Sequence, residues 1–406
     1  MFIVLAGISY SQTRLVSQTV ALNSGKKFSL NIPSGFEIIP AAEGLKRVRF
    51  FAKAPDGRLF VTDMYNLTDN RHGVVYILDG WNESSGKFTR VIPYMTGLHN
   101  PNSVQFYRDA SGQDWIYIAE TEKLTRRKFT SGEEKPTDTN AQTIATFPDY
   151  GLSYKYGGWH LTRTIAFSPT GKLYVSVGSS CNSCEEKEKV RATVLEMDAD
   201  GKNSRVFARG LRNAVSIKFI SDKLWATNQG SDHLGTARPD ETFYAVKSDA
   251  NYGWPYCHSS GGRIFADPNI KRRAGCADVT RPDIFFPARS SALGFEYFGQ
   301  NADPAFRDSF LISLHGSTNK VIAHGYKILS VQKGRPSRDI ITGFLQRRKV
   351  VGRPCDILKL GNDSFLFTDD HTGVIYLVRR KTENFTELHE WTRMRIILEA
   401  IRVIRG

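Results

Sequence analysis

Gly171 to Ser179 reads GKLYVSVGS, a glycine turn followed by a short strand-like run that ends in small residues. The same pattern recurs six times: Asp56 to Asp63 (DGRLFVTD), Asp114 to Glu120 (DWIYIAE), Gly171 to Ser179, Asp222 to Gly230 (DKLWATNQG), Asp308 to Gly316 (DSFLISLHG) and Asp363 to Asp370 (DSFLFTDD). The copies start 58, 57, 51, 86 and 55 residues apart. A period of this length that contains several short strands is typical of the blades of a β-propeller.

Several copies are followed by a second alternating run, such as Gly73 to Leu78 (GVVYIL) and Gly373 to Val378 (GVIYLV). Alternation of Val, Ile, Tyr and Phe between turn residues fits half-buried antiparallel strands and does not fit amphipathic helices. One blade cannot bury both faces of its sheet, but six blades in a closed ring can. The sequence therefore predicts an all-β, six-bladed β-propeller over residues 30–380, with loops around the mouth of a central channel.

The one long interval predicts a loop insertion between the fourth and fifth repeat strands. It contains Asn251 to Pro255 (NYGWP), Cys257, Cys276 and Arg289 to Gly294 (RSSALG). Because long loops often lie over one face and carry function, we expect this insertion to roof the channel. Cys257 and Cys276 flank a loop rich in Gly, Ser and Asp, where a disulfide would restrain an exported protein.

The composition indicates a globular protein with many turns, since 40% of the residues are hydrophobic, 24% are charged, and 34 are glycine. The net charge of +14 is spread along the chain without a recognisable nucleic-acid-binding module, so no nucleic-acid partner is predicted. With five cysteines, at least one thiol is left over if the others pair. Cys181 and Cys184 have CxxC spacing, but they lack the second pair that zinc requires and the following histidine that a c-type haem requires.

The two ends of the chain differ from the repeats. Met1 to Ser9 (MFIVLAGIS) is too short to span a bilayer and resembles the apolar core of a signal peptide. We therefore expect residues 1–20 to be a truncated leader or an N-terminal extension, the protein to be extracytoplasmic (periplasmic or secreted), and no stable membrane span. Residues 381–406 form a tail whose apolar residues are spaced as in an amphipathic helix, for which packing or fraying is favoured over membrane binding.

Three segments end in polar groups at positions that should reach the rim of the channel. His160 lies in Gly157 to Phe167 (GGWHLTRTIAF), just before the third repeat strand. Arg212, in Gly210 to Asn213 (GLRN), offers a positive fork that suits an anion, and Gly230, in Asn228 to Asp232 (NQGSD), offers backbone carbonyls that suit a hard cation. From the residues alone, a structural histidine and structural turns remain the alternative.

These segments, taken together and in order, resemble the sorbosone dehydrogenase branch of the glucose/sorbosone dehydrogenase family. The resemblance covers roughly residues 35–380 and rests on the following stretches: GGWHLTRTIAFSPTGKLYVSVGSSCNSCEE, GLRN, LWATNQGSDHLG with Pro239-Asp240-Glu241, NYGWPYC, Gly352-Arg353-Pro354 and Asp369-Asp370. Members of this family are soluble quinoproteins that oxidise sugars with pyrroloquinoline quinone (PQQ) and calcium. The resemblance implies the same fold and the same kind of activity, with a sugar or aldehyde substrate and an external electron acceptor.

The resemblance also implies roles for individual residues. His160 matches the general base, and Arg212 and Asn213 match the pair beside the cofactor, where Arg212 also stabilises charge on the quinone. Gly230 and Ser231 match the turn whose backbone carbonyls hold the active-site calcium.

Further positions match the family less directly. Arg353 matches an arginine that contacts the cofactor carboxylates, and Lys320 is a weaker candidate for that task. Asp240 and Glu241 are candidates for a structural calcium site.

Some positions depart from the family pattern. Ser179 stands where related enzymes place an Asp that orients the base, and it can accept a hydrogen bond without supplying charge. Arg289 replaces an expected His, and Thr318 replaces an expected Trp. Two other functions remain open on the sequence: a calcium-dependent propeller lactonase or esterase, which would need several carboxylates around its metal, and a non-catalytic extracellular propeller that binds carbohydrate or protein.

Overall fold

The computed structural model of the protein describes residues 14–148, 160–270 and 275–381. Strands, turns and loops make up these ranges, and no helix is present in them. In chain order, their strands are β1 (Leu15–Ala21), β2 (Lys27–Pro33), β3 (Phe36–Ala42), β4 (Val48–Lys53), β5 (Leu59–Asp63), β6 (Gly73–Asn82), β7 (Lys87–Leu98), β8 (Ser103–Arg108), β9 (Asp114–Ala119), β10 (Lys123–Lys128), β11 (Gln142–Thr146), β12 (Arg163–Phe167), β13 (Leu173–Val177), β14 (Thr193–Met197), β15 (Arg205–Arg209), β16 (Ser216–Ile220), β17 (Lys223–Asn228), β18 (Glu241–Val246), β19 (Cys257–Ser260), β20 (Arg263–Ala266), β21 (Ile284–Phe286), β22 (Ala292–Phe298), β23 (Ser309–Leu314), β24 (Lys327–Val331), β25 (Arg338–Ile341), β26 (Leu345–Gln346), β27 (Lys349–Val350), β28 (Pro354–Lys359), β29 (Ser364–Asp369) and β30 (Val374–Arg380).

Six antiparallel sheets of four strands each form the blades of a propeller. Blades 1, 2 and 3 are β4–β7, β8–β11 and β12–β15, blade 4 is β16-β17-β18-β21, blade 5 is β22–β25, and blade 6 is β28-β29-β30-β3. The first strand of each blade contacts the first strand of the next around the ring. The predicted six-bladed β-propeller is confirmed, and each of the six repeat strands is the second strand of its blade.

The ring is closed by a strand from the other end of the chain. β3 pairs with β30, with Ile38 opposite Val378, so blade 6 combines one N-terminal strand with three C-terminal strands. β28 also lies against β4 of blade 1. Main-chain hydrogen bonds between the two ends of the domain therefore hold the propeller shut.

In three blades the second strand is buried on both faces, which differs from the half-buried strands that the alternation predicted. Every residue of β5, β9 and β13 is buried, because neighbouring blades cover both sides of each sheet, whereas β17 keeps Lys223 exposed and Trp225 half-buried. Between blades 1 and 2, the Phe60 ring packs edge-on against Tyr94, Phe106 and Phe129, with ring centroids 5.1, 4.9 and 5.9 Å away. Each such pair contributes about 0.5–1.5 kcal/mol beyond its buried area.

The predicted insertion is present between β18 and β21 and contains the hairpin β19–β20. A disulfide joins Cys257 to Cys276, as the sequence indicated, and a second joins Cys181 to Cys184, which leaves Cys355 as a buried thiol. Of the insertion, Arg289, Ser291 and Leu293 line the central cavity. The earlier stretch Asn251 to Pro255 does not line it, and there Tyr252 and Trp254 donate backbone hydrogen bonds to Arg209 and Gly210, at the end of β15. The predicted roof is therefore limited to the end of the insertion.

Ahead of the ring, β1 and β2 form a hairpin that lies against β3 and β25. Residues 15–21, which the sequence placed in a leader or extension, thus form a strand, whereas residues 1–13 and the tail from residue 382 onward lie outside the described residues. Within the described ranges, no helix is long and apolar enough to cross a membrane.

Candidate active site

His160 stands at the mouth of the channel, just before β12, and lines the central cavity. Its backbone φ is +49°, a conformation that residues with a side chain adopt at a cost and that is often found at functional sites. Gly178, directly after β13, leaves room for it, because a Cβ on Gly178 would lie 2.6 Å from the Cβ of His160. The local backbone conformation therefore places the imidazole in close contact with the end of the third repeat strand.

Ser179 determines which imidazole nitrogen carries the proton. His160 Nδ1 lies 2.9 Å from the Ser179 carbonyl oxygen and 3.0 Å from its hydroxyl, and that hydroxyl donates to the Cys181 carbonyl at 2.7 Å. Because a carbonyl oxygen only accepts, Nδ1 carries the proton and Nε2 carries the lone pair. Burial, and then the positive charge of Arg212, lower the pKa of His160 well below its ordinary value, so the ring is a neutral base at physiological pH.

Arg212 is buried in the loop between β15 and β16. Its Nε donates to the Asn182 carbonyl at 2.9 Å, its Nη2 to the Asn182 side-chain oxygen at 3.0 Å, and its Nη1 to the Gly230 carbonyl at 2.9 Å. A guanidinium has five N–H bonds, so two remain for a ligand. Burial lowers the pKa of Arg212 to about 10, and the side chain therefore stays charged at neutral pH.

Asn213 follows Arg212 and also lines the cavity. Its side-chain NH₂ donates to the Gln229 side-chain oxygen at 2.9 Å, and its backbone N–H donates to the Asn228 side chain at 3.0 Å. These bonds connect the two loops that the GLRN and NQGSD motifs form.

Glu241 brings a carboxylate into the same cavity as the Gly230 carbonyl. Its side chain is buried, and Oε2 has no hydrogen-bond partner. Burial raises the pKa of Glu241 to about 7, although Arg212 and the backbone N–H groups of Gly230, Ser291 and Arg289 oppose that rise. A buried carboxylate oxygen without a partner is unfavourable unless a cation or proton binds it.

Asp240 points away from the cavity, although it precedes Glu241. One oxygen accepts from the Gly261 backbone at 3.0 Å, and the other accepts from the Ser259 hydroxyl at 2.6 Å and the Gly262 backbone at 2.9 Å. Alternation along β18 sends the two neighbouring side chains to opposite faces. Asp240 therefore anchors the β19–β20 hairpin.

Two of the predicted cofactor contacts do not line the cavity. Arg353 donates to the carbonyls of His315, Gly316 and Ser317, at 3.2, 2.6 and 3.0 Å. It therefore shapes a loop whose residues His315 and Ser317 do line the cavity. Lys320 is exposed beyond that loop.

Two arginines that the sequence did not assign as cofactor contacts, Arg49 and Arg289, line the cavity instead of Arg353 and Lys320. Arg49, on β4, donates to Asp370 at 2.6 Å and to Asn102 at 2.9 Å. Arg289 pairs with Asp232 and donates to the carbonyls of Asp232 and Gly235. For Arg49, the sequence signal that could have indicated a site residue was a charged residue inside the apolar run VRFFAK. For Arg289, that signal was the departure of RSSALG from the family pattern.

The cavity that these residues surround has a volume of about 600 Å³. Val215 and Leu293 line it and belong to a small buried apolar cluster with Phe50 and Cys355. Three guanidinium groups, of which Arg49 and Arg289 are paired with Asp370 and Asp232, therefore face the same space as a neutral imidazole and the Glu241 Oε2 atom, which has no hydrogen-bond partner. Such a space can bind a polyanionic ligand and a hard cation beside a base.

Comparisons with known proteins agree with this architecture. A protein of unassigned function from Borreliella burgdorferi is 26% identical over 370 residues, which cover 86% of this chain and 90% of that protein. Among solved structures, the calcium structure of the Trichoderma reesei enzyme of carbohydrate-active family AA12 has a TM-score of 0.70 at 18% identity, covering 91% of this chain and 98% of that one. The holo form of the PQQ domain of Coprinopsis cinerea pyranose dehydrogenase has a TM-score of 0.68 at 20% identity, covering 86% and 97%. At these identities the structural likeness concerns the fold alone.

The TrAA12-like family matches residues 30–381, nearly all of the propeller. The family resemblance that the motifs predicted is confirmed, and the chain belongs to the TrAA12-like family of PQQ-dependent oxidoreductases.

Proposed function

We propose that the protein is a PQQ- and calcium-dependent dehydrogenase that oxidises a sugar, a sugar aldehyde or a related alcohol. The observation that carries the proposal is the pairing of a neutral His160, protonated at Nδ1, with the cationic Arg212 in one cavity. The family match supports the same conclusion.

The cavity fits the quinone in charge and size. PQQ is a flat molecule with three carboxylates, and Arg49, Arg212 and Arg289 reach the cavity from different parts of the ring, Arg49 and Arg289 in ion pairs with Asp370 and Asp232. Arginine pairs with carboxylates through its planar fork and keeps its charge at physiological pH. A volume of about 600 Å³ lies within the range of cofactor pockets.

Calcium fits the donor atoms around Gly230. The Glu241 Oε2 atom lacks a hydrogen-bond partner, and the Gly230 carbonyl has a second lone pair besides the one that Arg212 uses. Carboxylate and carbonyl oxygens are the ligands that calcium prefers. We therefore assign Gly230 and Glu241 to the calcium site and add Ser231 on the strength of the family resemblance, while the contacts of Asp240 favour a structural role.

When bound, the quinone would supply the two-electron oxidant and calcium would polarise it. The chain's own part begins with His160, whose Nε2 lone pair takes the proton of the substrate hydroxyl. In the resulting imidazolium, the proton on Nδ1 stays hydrogen-bonded to the Ser179 carbonyl oxygen, and this hydrogen bond stabilises the positive charge. The two remaining N–H bonds of Arg212 would stabilise negative charge on the bound cofactor.

Binding and turnover test this proposal. Metal-free protein would be titrated with calcium and PQQ by calorimetry, and dye reduction would be followed with a panel of aldoses, aldehydes and alcohols. We expect one quinone per chain and calcium-dependent dye reduction. A folded, calcium-loaded protein that binds no quinone would contradict the proposal and leave the hydrolase or the binding module.

His160→Ala tests the base. Quinone binding should survive, because Arg49, Arg212 and Arg289 are unchanged, and turnover should fall at least ~100-fold, the low end for a lost general base. Steady-state kinetics at saturating quinone measure the loss. Near-normal turnover would remove His160 from the mechanism.

The hydrolase alternative receives less support from this cavity. It would need several side-chain carboxylates available to its metal, but Asp370 is bound by Arg49 and His315, and Asp232 is paired with Arg289. The two disulfides support a further proposal, that the protein works outside the cytoplasm. From the family resemblance we also propose that it passes its electrons to an external acceptor.

A further inference from the structure

The loop from Ser179 to Cys184 contacts both proposed catalytic residues. At its start, Ser179 holds His160 Nδ1 through its carbonyl and hydroxyl, and its backbone N–H donates to the Arg212 carbonyl at 2.8 Å. Three residues further on, Asn182 accepts two of the three hydrogen bonds that the Arg212 side chain donates. One short loop therefore sets the position of the base relative to the arginine.

Asn182 is the centre of this arrangement. Its side-chain oxygen also accepts from the Asp232 backbone at 2.7 Å, and its carbonyl also accepts from the Trp254 indole at 3.3 Å. The side-chain oxygen and the carbonyl oxygen of Asn182 are thus each held by hydrogen bonds, whose donors lie on three different loops. A planar guanidinium bound by two fixed acceptors has a defined orientation.

The Cys181–Cys184 disulfide encloses Asn182 in a ring of four residues. Both cysteines are only half-buried, so a small reductant can reach the bond. Glu186 is the third member of the one group in the described residues that resembles a metal site, but its two cysteine partners are joined to each other. The disulfide is therefore better understood through the loop that it closes.

We propose that the Cys181–Cys184 disulfide is a redox-sensitive clamp on Arg212, and that Asn182 is the positioning residue through which it acts. A dithiol supplies the two electrons and two protons that open the clamp: the S–S bond breaks, two cysteine thiols form, and the dithiol becomes a disulfide. The freed loop no longer holds the two Asn182 acceptors against Arg212. Where it concerns turnover, the proposal rests on the dehydrogenase function above.

The first measurement needs neither cofactor nor substrate. Burial is the main cause of the low pKa of His160, and Arg212 is the charge that lowers it most; Arg163 and Arg191, whose charges also lower it, donate to the Pro148 carbonyl. In the apoprotein, the pKa of His160 should therefore rise when the clamp opens and Arg212 moves away. NMR of the histidine ring protons, assigned with His160→Gln, gives this pKa before and after mild reduction, and alkylation with peptide mapping shows which disulfide has opened.

Cysteine variants identify the responsible disulfide. In Cys257→Ser/Cys276→Ser, reduction should still raise the pKa of His160, whereas in Cys181→Ser/Cys184→Ser the pKa should be raised already and should no longer respond to the dithiol. The longer loop between Cys257 and Cys276 restrains the unfolded chain more, so its loss should lower the melting temperature further. Two outcomes would contradict the clamp. In one, the pKa of His160 no longer responds to reduction in the Cys257→Ser/Cys276→Ser variant; in the other, the pKa of His160 stays constant after complete reduction of Cys181 and Cys184.

Asn182 variants then test the link to turnover. Asn182→Ala should raise the pKa of His160 in the apoprotein and lower kcat roughly 10- to 100-fold, the range typical of residues that orient a functional group. Asn182→Asp keeps an acceptor oxygen and should restore part of the loss, and Asn140→Ala, on an exposed loop, is the matched control. Turnover in Asn182→Ala equal to that of Asn140→Ala would contradict the positioning role. If the pKa responds but no variant, nor the wild type, binds quinone, the dehydrogenase proposal fails and the clamp stands.

Discussion

Gly178 controls the position of the proposed base. A Cβ at this position would lie 2.6 Å from the Cβ of His160 and 2.7 Å from the side-chain oxygen of Asn213. Neither neighbour can yield easily, because His160 is held by Ser179 and Asn213 by Gln229. The absence of a side chain at this residue is thus part of the site.

Gly178→Ala should therefore displace the imidazole. We expect a destabilisation of about 1–3 kcal/mol, typical of overpacking, together with a fall in kcat of at least ~10-fold. Gly299→Ala is the matched control, since its Cβ would meet nothing closer than 3.9 Å. Chemical denaturation and steady-state kinetics measure both effects, and wild-type kcat in the Gly178 variant would show that the base tolerates movement.

Glu241 makes stability depend on pH in a defined direction. Its pKa is raised from 4.5 to about 7 in the folded protein, so between these values the native state binds more protons than the unfolded state. The contribution of Glu241 to the free energy of unfolding therefore falls as the pH rises through this window. The total loss is about 3 kcal/mol at pH 8 if each pKa unit corresponds to about 1.4 kcal/mol.

Glu241→Gln should remove this loss. In the presence of a chelator, the variant should gain about 2.5 kcal/mol relative to wild type between pH 5 and pH 8, because a small part of the loss has already occurred at pH 5. Added calcium should stabilise the wild type more than the variant, because a ligand bound only to the native state stabilises it by mass action. Denaturant titrations at both pH values provide the measurement, and a constant difference between the two proteins would argue against a buried, ionising Glu241.

At the scale of structural elements, the β19–β20 hairpin is attached to blade 4 through Asp240. The carboxylate accepts three hydrogen bonds from the hairpin, and it sits one residue before Glu241 at the start of β18. The two adjacent acidic residues therefore have different roles: Asp240 anchors the hairpin of the insertion, and Glu241 faces the channel.

Asp240→Asn separates these roles. It should lower the free energy of unfolding by about 1–3 kcal/mol, because the hairpin loses a charged acceptor. Calcium affinity should stay within about twofold of wild type, whereas Glu241→Gln should weaken it at least ~10-fold. Calcium titration of both variants shows which of the two residues binds the metal. An equal loss of calcium affinity in the two variants would show that Asp240 is also a calcium ligand.

At the scale of the whole molecule, the ring brings together cations that are far apart in the chain. Arg49 lies on β4 of blade 1, Arg212 follows β15 of blade 3, and Arg289 follows β21 of blade 4. Asp370 pairs with Arg49 and Asp232 pairs with Arg289, whereas the Arg212 side chain donates to neutral oxygens of Asn182 and Gly230. Burial lowers the pKa of Arg212, so an anionic cofactor bound to it would stabilise its charge.

PQQ with calcium should therefore stabilise the entire propeller, by about 2.7 kcal/mol at a concentration one hundred times its Kd. Arg289→Ala should reduce quinone affinity at least ~10-fold, since it removes a cation from the cavity wall. The exposed Lys320 lies outside that wall, so Lys320→Ala should bind within about twofold of wild type. Thermal shift and calorimetry test both variants, and this comparison decides whether Lys320 contacts the cofactor as the sequence indicated.

The sequence determined the number of blades, the repeat strands and the family. Strand alternation and turn residues act over a few neighbouring positions, and a repeat of fifty-odd residues is visible without any long-range contact. The loop motifs around His160, Arg212 and Gly230 were also visible, because each is a short continuous segment. The positions of these three residues in one cavity agree with the expectation.

Only the tertiary structure decided which side chains share the cavity. Arg353 and Arg49 both lie at strands of the innermost ring, yet one is bound to loop carbonyls and the other reaches the cavity. Asp240 and Glu241 are adjacent in sequence, yet only Glu241 lines the cavity. Cys181 and Cys184 are joined in a disulfide that closes the loop carrying Asn182, which binds Arg212. The physical reason is that local pattern fixes strands, whereas the direction and partners of a buried charge depend on residues brought near it by ring closure.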